Sequence, residues 1–310
     1  MLVALAGGVG AARFLRGLLR VHPPDDLLVV GNTGDDLRLH GLAISPDLDS
    51  VAYTLAGLAD EERGWGLAGE TWNAQAALGA LGEPAWFALG DRDLATHLLR
   101  TRLLAEGASL SEATAEICRR LGVPVRLVPM SDQPVRTRVE VDGPDGPADL
   151  GFQEWWVGRQ ARDPVRRVRF AGVERARPAP GVLAAIAAAR GILLCPSNPV
   201  VSIAPILAVP GLREAVRQAP CRRVAVTPIV GGAPVRGMAD RLLPAWGVEV
   251  SARGVAGLYA GLVDAFVLDV VDAAQADEVA ALGVAPVVAP TLMHTVEDAA
   301  ALAKTAVDAL

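Results

Sequence analysis

An apolar strand, Leu2 to Ala6, runs directly into the glycine turn Gly7-Gly8-Val9-Gly10 and then into a helix, Ala11 to His22, whose Phe14, Leu15, Leu18 and Leu19 share one face. A second apolar strand, Leu27 to Val30, stops at Gly31. Strand, glycine turn, helix and strand within about thirty residues make a βαβ unit, which demands a right-handed crossover and a parallel sheet.

Helices are expected next over Asp49 to Ala59, Asn73 to Gly79, Leu94 to Glu106 and Ser109 to Leu121, the last opened by Ser109 and Glu112 as a capping box. A short apolar strand, Trp86 to Leu89, interrupts them. Residues 49–121 thus read as mainly helical. Over 125–170 the pattern changes to short alternating strands, with TRVEVDGPDGPADLGFQEWWV forming a hairpin about a turn at Asp142 to Gly146. A β/α rhythm then returns, with a helix at Pro180 to Ala189, strands at Gly191 to Cys195, Arg223 to Thr227 and Ala265 to Leu268, and a closing helix from Val296. No internal repeat or low-complexity linker divides the chain. The expectation is one Rossmann-like, doubly wound α/β domain, 1–310, with a mostly parallel sheet, the helical segment and the strand-rich insertion lying within it.

A chain of 310 residues can bury an ample core, and a net charge of −6 with a pI near 5.3 gives no bulk reason to bind nucleic acid or an anionic membrane. No apolar run reaches the roughly 18 residues of a bilayer span and no basic leader opens the chain, so a cytoplasmic protein is expected. Cys118, Cys195 and Cys221 are scattered without paired spacing and read as core residues rather than as disulfides or a zinc site. Lys304 is the only lysine. That removes Schiff-base chemistry, a lysine base and the P-loop lysine, so any phosphate clamp must use arginine, backbone amides or metal.

Gly7, Gly8, Val9 and Gly10, with Arg13 where a dinucleotide fingerprint has its third glycine, let the backbone approach a pyrophosphate at a helix N-terminus; a plain tight turn is the simpler alternative. A helix terminus contributes only ~0.3–1 kcal/mol to holding a charge, so further cations are required. A nicotinamide site needs an acidic residue at the end of the second strand, where Gly31, Asn32 and Thr33 stand instead, which demotes a dehydrogenase. Asp35 and Asp36, then Asp47 and Asp49, fall in loops expected at the carboxyl edge of the sheet and suit Mg²⁺ shared with substrate phosphates, although Asx turns and a helix cap would use the same residues. Asp91, Arg92 and Asp93 suit a carboxylate accepting substrate hydroxyls beside an arginine on phosphate, or else a cap with a surface ion pair. Ser197 and Asn198 in PSNP and Arg236 in a glycine-rich loop are further phosphate candidates. Trp155 and Trp156 offer faces to a flat ligand, though core tryptophan explains them too. No Ser/His/Asp or Cys/His arrangement is recognisable, which argues against covalent catalysis.

Nearly end to end, through GGVGAARFL, NTGDD, SPDLDS, GWG, ETWNA, LGDRDLATH, PMSD, FQEWWV, PSNPVVSI, PIVGGAPVRGMAD and a final TLM, the chain resembles the 2-phospho-L-lactate transferase family (CofD/FbiA) of deazaflavin coenzyme F420 biosynthesis. The resemblance implies a Rossmann-like, commonly dimeric, Mg²⁺-dependent enzyme. It would move a phospholactyl or phosphoenolpyruvyl group from a guanosine diphosphate adduct to the deazaflavin Fo and release GMP. By the same resemblance Asp35 and Asp47 match the metal-associated carboxylates and Asp49 and Arg92 match deazaflavin contacts. The glycine turn and PSNP fall where the family binds the guanylate. Catalysis is expected from Asp35, Asp47, Asp49 and Arg92, with Asp91, Asp93 and Trp155 also at the deazaflavin. The alternative is a non-catalytic nucleotide-sugar-binding regulator of a related family with a similar glycine turn; the combination of GDRD with FQEWWV favours the transferase.

Overall fold

The structure, a computed structural model, describes residues 1–310. Seven strands make the central sheet: β1 (Leu2–Ala6), β2 (Leu27–Gly31), β3 (Arg126–Pro129), β4 (Gly191–Leu194), β5 (Arg223–Val226), β6 (Ala265–Leu268) and β7 (Ala285–Val288). Their spatial order is 7-6-5-4-1-2-3 and every pairing is parallel. The chain winds from β1 out to β3, returns to lay β4 against the other side of β1, and continues outward to β7. In a doubly wound sheet this reversal opens a crevice at the carboxyl ends of the two central strands, here β1 and β4. The glycine turn leaves β1 there and PSNP leaves β4.

Within β1, Leu2, Ala4 and Ala6 enter one core layer while Val3 and Leu5 enter the other; in β2, Leu27 and Val29 divide from Leu28 and Val30 in the same way. That period-two division marks strands buried on both faces, as helices over both sides of a parallel sheet require. Helix α1 (Gly8–Leu18) buries Phe14, Leu15 and Leu18 completely, each worth about 1.5–3 kcal/mol. Four further helices, α2 (Pro46–Leu55), α3 (Asn73–Ala80), α4 (Asp93–Ala105) and α5 (Leu110–Leu121), make up the helical middle. The capping box at α5 is formed, with Glu112 N donating to Ser109 Oγ at 3.2 Å and Ser109 N donating to Glu112 Oε2 at 2.7 Å. The closing helix, α6 (Val296–Asp308), packs on α1 so tightly that any side chain at Gly17 would overlap the backbone of Ala299. No single helix is long and apolar enough to cross a membrane.

Several sequence expectations are corrected. Helix α1 starts at Gly8 rather than Ala11, which places the glycines in its first turn. Pro46 opens α2, so Asp47 and Asp49 lie in the first helical turn and not in a loop. No strand forms over Trp86 to Leu89; the Gln75 side chain instead donates to Ala85 O at 2.9 Å and accepts from Leu89 N at 3.3 Å. Arg126–Pro129 leaves the expected insertion to become edge strand β3, and the remainder forms a three-stranded antiparallel sheet from Arg136–Gly143, Gly146–Gly151 and Val165–Ala171. FQEWWV does not extend the hairpin. Phe152 and Trp155 both reach the core, a spacing of three that a strand would send to opposite faces, and the chain makes a π-helical turn at Glu154–Gly158.

Candidate active site

Two clefts open at the carboxyl edge beside β1 and β4. The first, about 930 Å³ and partly open to solvent, is floored by the glycine turn. Gly7 is extended, at φ −157° and ψ 140°, and donates its amide to Ser197 Oγ at 3.2 Å, which ties the end of β1 to the segment after β4. A Cβ on Gly7 would come within 2.6 Å of Asp47 Oδ2 and 2.7 Å of Ser202 Cβ, and one on Gly10 within 2.6 Å of Pro196 O. Gly8 takes φ +74°, a left-handed conformation that side chains disfavour. Val9, Arg13, Ser197, Asn198 and Arg236 line the same cleft. Asn198 also caps the turn after it, its Oδ1 accepting from Val200 N at 2.9 Å, so the turn reading and the cleft reading both hold for this residue.

Arg13 and Arg236 converge over the cleft, where a side chain at Gly64 would overlap the Arg236 guanidinium and meet that of Arg13 at 3.4 Å. Burial, then the charge of Arg13, holds the Arg236 guanidinium below its ordinary pKa. Two like charges held together in this way suit an anionic ligand.

Asp35 and Asp47 are both buried and both line this cleft. Burial, then the charges of Asp47 and Asp36, drives the Asp35 carboxyl well above its ordinary pKa, and its Oδ1 has no hydrogen-bond partner. Burial pushes Asp47 up to about 6, against the opposing hydrogen bonds of the Asn32 amide and the Gly8 N–H. A buried carboxylate pair with an unpartnered oxygen fits a hard divalent cation. Mg²⁺ is such an ion, usually bound by one or two carboxylates with substrate phosphates and water completing the shell. Neighbouring Asp36 is raised by burial to about 7 and accepts from Ser45 Oγ at 3.0 Å.

The second cleft, about 1140 Å³, adjoins the first and shares Gly8, Val9, Asp47, Trp156 and Arg236 with it. Trp65, Phe87, Trp156 and Val157 give it apolar faces, while Asp49, Tyr53, Asp93 and His97 form a polar wall. Arg100 grips Asp49 with both terminal nitrogens, Nη1 to Oδ2 at 3.0 Å. His97 lies between carboxylates, Nδ1 3.7 Å from Asp49 Oδ2 and Nε2 3.2 Å from Asp93 Oδ2. The Tyr53 hydroxyl donates to Asp93 Oδ1 at 2.5 Å. Burial would raise the Asp93 carboxyl, but His97 and the Tyr53 hydroxyl outweigh it and leave the group below its ordinary value.

Asp91, Arg92 and Trp155 are not brought to these clefts. Asp91 caps the start of α3, accepting from Thr71 Oγ1 at 2.5 Å, Asn73 N at 3.1 Å and Ala74 N at 2.9 Å; the Thr71 hydroxyl foremost, with those amides, lowers it to about 2. The Arg92 guanidinium is bound to Ala68 O and its amide donates to Glu70 Oε2 at 2.8 Å, anchoring the 68–70 segment. Trp155 is wholly buried, its indole N–H donating to Asp163 O at 3.1 Å, and the next residue, Trp156, is the one that lines both clefts. Sequence reasoning missed Asn32, which sits at the end of β2 and donates to Asp47, and Arg100. The only signal for Arg100 was its place one turn after His97 on the face that carries Asp93.

Fold and site together define a Rossmann-like α/β protein in which an anion cleft with paired carboxylates opens into an aromatic chamber. Residues 2–298 match the family described as 2-phospho-L-lactate transferase CofD, and the chain belongs to that family. It is 52% identical over 308 residues to the phosphoenolpyruvate transferase of Kitasatospora aureofaciens, covering 98% of this chain and 96% of that protein. With the phosphoenolpyruvate transferase of Streptomyces griseus it shares 49% identity over 309 residues, 99% and 97% of the two chains. Two crystal structures of a Bacillus halodurans protein, in one case described as a member of the upf0052 family, superpose with TM-scores of 0.65 and 0.63 at 18% and 17% identity, each covering 99% of this chain and 98% of that one. They share the fold.

Proposed function

We propose that this protein transfers a phosphoenolpyruvyl or phospholactyl group from its guanosine diphosphate adduct to the deazaflavin Fo, releasing GMP. The observation that carries the reading is the joining of the two clefts: a diphosphate on the glycine turn and a flat acceptor in the aromatic chamber would meet where Asp47, Gly8, Val9, Trp156 and Arg236 are shared. The phosphoenolpyruvate transferases to which the chain is similar favour the enolpyruvyl donor.

In this reading the glycine amides and Arg13 hold the phosphates, and Arg236 neutralises charge growing on the leaving phosphate. Trp65, Phe87 and Trp156 clasp the ring of the acceptor, and Asp49 orients its hydroxyl toward phosphorus. The hydroxyl oxygen bonds to phosphorus, the bond to the GMP phosphate breaks, and the hydroxyl proton leaves to solvent or a carboxylate. Phosphoryl transfer needs little from the protein beyond positioning and electrostatic stabilisation. Asp35 and Asp47 would hold Mg²⁺, which supplies charge neutralisation on the diphosphate when bound. A cytoplasmic homodimer is proposed as the working form on the family resemblance. The test is incubation with Fo, the guanosine-linked donor and Mg²⁺, followed by mass spectrometry. GMP and the phosphodiester product are expected together, and tight nucleotide binding without GMP release would point to a binding protein instead.

A further inference from the structure

The polar wall of the aromatic chamber hangs on one imidazole. His97, on α4, is 1% exposed and stands between two carboxylates from different helices, Asp49 of α2 and Asp93 of α4. Each carboxylate has one other strong partner, Arg100 for Asp49 and the Tyr53 hydroxyl for Asp93. His97 lies between the two sets, its Nε2 beside Asp93 and its Nδ1 3.4 Å from Arg100 Nη1, the nitrogen that donates to Asp49.

From Tyr53 to Asp47 the chamber follows one helix: Tyr53, Ser50, Asp49 and Asp47 of α2 all line it, and Asp47 lies where it joins the anion cleft. Six residues of helix cover about 9 Å at ~1.5 Å each. Ionised carboxylates only accept hydrogen bonds, so a ledge of this kind receives hydroxyl donors. A flat ring held by Trp65, Phe87 and Trp156 would lay a hydroxylated chain along it toward the phosphorus.

We propose that His97 is a positioning residue for the acceptor: standing between Asp93 and the Arg100–Asp49 pair, it sets the ledge that receives the hydroxyl chain of a polyol-bearing heteroaromatic. This rests on the function proposed above and adds a residue that acts through two others. Loss of the imidazole removes the group packed between Asp93 and the Arg100–Asp49 pair, each of which keeps its other partner, while the glycine turn, Arg13 and the rest of the nucleotide cleft stay as they are.

The experiment is steady-state kinetics of His97→Gln and Tyr53→Phe with Fo and the guanosine-linked donor, beside equilibrium binding of GMP. The expected result is a KM for Fo raised about tenfold or more in His97→Gln and several-fold in Tyr53→Phe, with donor KM and GMP affinity within about twofold of wild type. Should His97→Gln not fold, His97→Asn takes its place under the same criteria; Tyr53→Phe, which removes the donor to Asp93 Oδ1, reports on Asp93. Unchanged Fo KM, or equal losses toward both substrates, overturns the role of His97. A wild-type protein that releases no GMP overturns the proposed function instead, so the two failures are told apart.

Discussion

Asn32 Nδ2 donates to Asp47 Oδ2 at 2.8 Å, and the same amide nitrogen donates to Val201 O at 3.0 Å. A fully buried side chain at the end of β2 thereby fixes a carboxylate of α2 against the segment that follows β4. Its carbonyl oxygen is occupied as well, accepting from Gly34 N at 2.8 Å. Partners that orient a metal-ligating carboxylate typically affect metal affinity or activity by about 10- to 100-fold. Asn32→Ala is therefore expected to raise the Mg²⁺ concentration needed for half-maximal turnover by that order; an unshifted Mg²⁺ titration would remove Asn32 from the site.

Gly7→Ala should be disproportionately harmful. Its methyl would press on Asp47 Oδ2 and Ser202 Cβ at 2.6 and 2.7 Å, although the backbone there is extended and open to any residue. Overpacking of this kind costs about 1–3 kcal/mol. Lower thermal stability with loss of guanine-nucleotide binding is expected, and normal nucleotide affinity would show that the cleft can widen.

Charge, more than shape, should govern the mouth of the anion cleft. Arg236→Ala is expected to lower kcat/KM by about 100-fold or more, the scale of losing one preorganised donor. Arg236→Lys should recover only part, because an ammonium cannot reproduce the planar fork. Complete recovery by lysine would mean that a point charge suffices.

Stability should fall with pH in the absence of metal. Asp35 is well above its ordinary pKa, Asp47 is near 6 and Asp36 near 7, all raised first by burial. A carboxyl raised in the folded state binds protons more tightly there than in the unfolded chain. Its contribution is full below about pH 4, the unfolded value, and is lost as pH rises through 6 to 7. Melting in EDTA is thus expected to occur at lower temperature at pH 8 than at pH 5, with Mg²⁺ narrowing the gap by favouring the ionised pair. A gap of the opposite sign in EDTA would contradict this account of the carboxylates.

Trp155 and Trp156 should separate cleanly on substitution. Trp155→Ala empties a fully buried site and is expected to cost about 3–5 kcal/mol of stability. Trp156→Ala, at the shared edge of both clefts, should leave the fold near wild type and raise the KM for Fo. Thermal melts set beside acceptor kinetics decide, and equal destabilisation of the two variants would place Trp156 in the core as well.

What the sequence alone determined was local. The βαβ opening, the Ser109 capping box and the limits of β1 and β6 follow from periodicity and caps that involve residues a few positions apart, and all were legible. Carboxylates at the carboxyl edge of the sheet could also be anticipated, as the two pairs Asp35 with Asp36 and Asp47 with Asp49, but only the family resemblance singled out Asp35 and Asp47, the two that line the first cleft. Which of two adjacent tryptophans lines the clefts was not legible, since a π-helical turn, and not strand alternation, sets the direction of Trp155. Nor could the roles of Asp91 and Arg92 be told from spacing: their partners, Thr71, Ala74, Ala68 and Glu70, lie about twenty residues away across a loop. Only the tertiary structure brought Gly7 to Ser197, 190 positions apart, and set His97 between Asp49 and Asp93. Contacts of that range depend on how the sheet reverses at β1 and β4, a choice made by the packing of the whole chain and not by any segment of it.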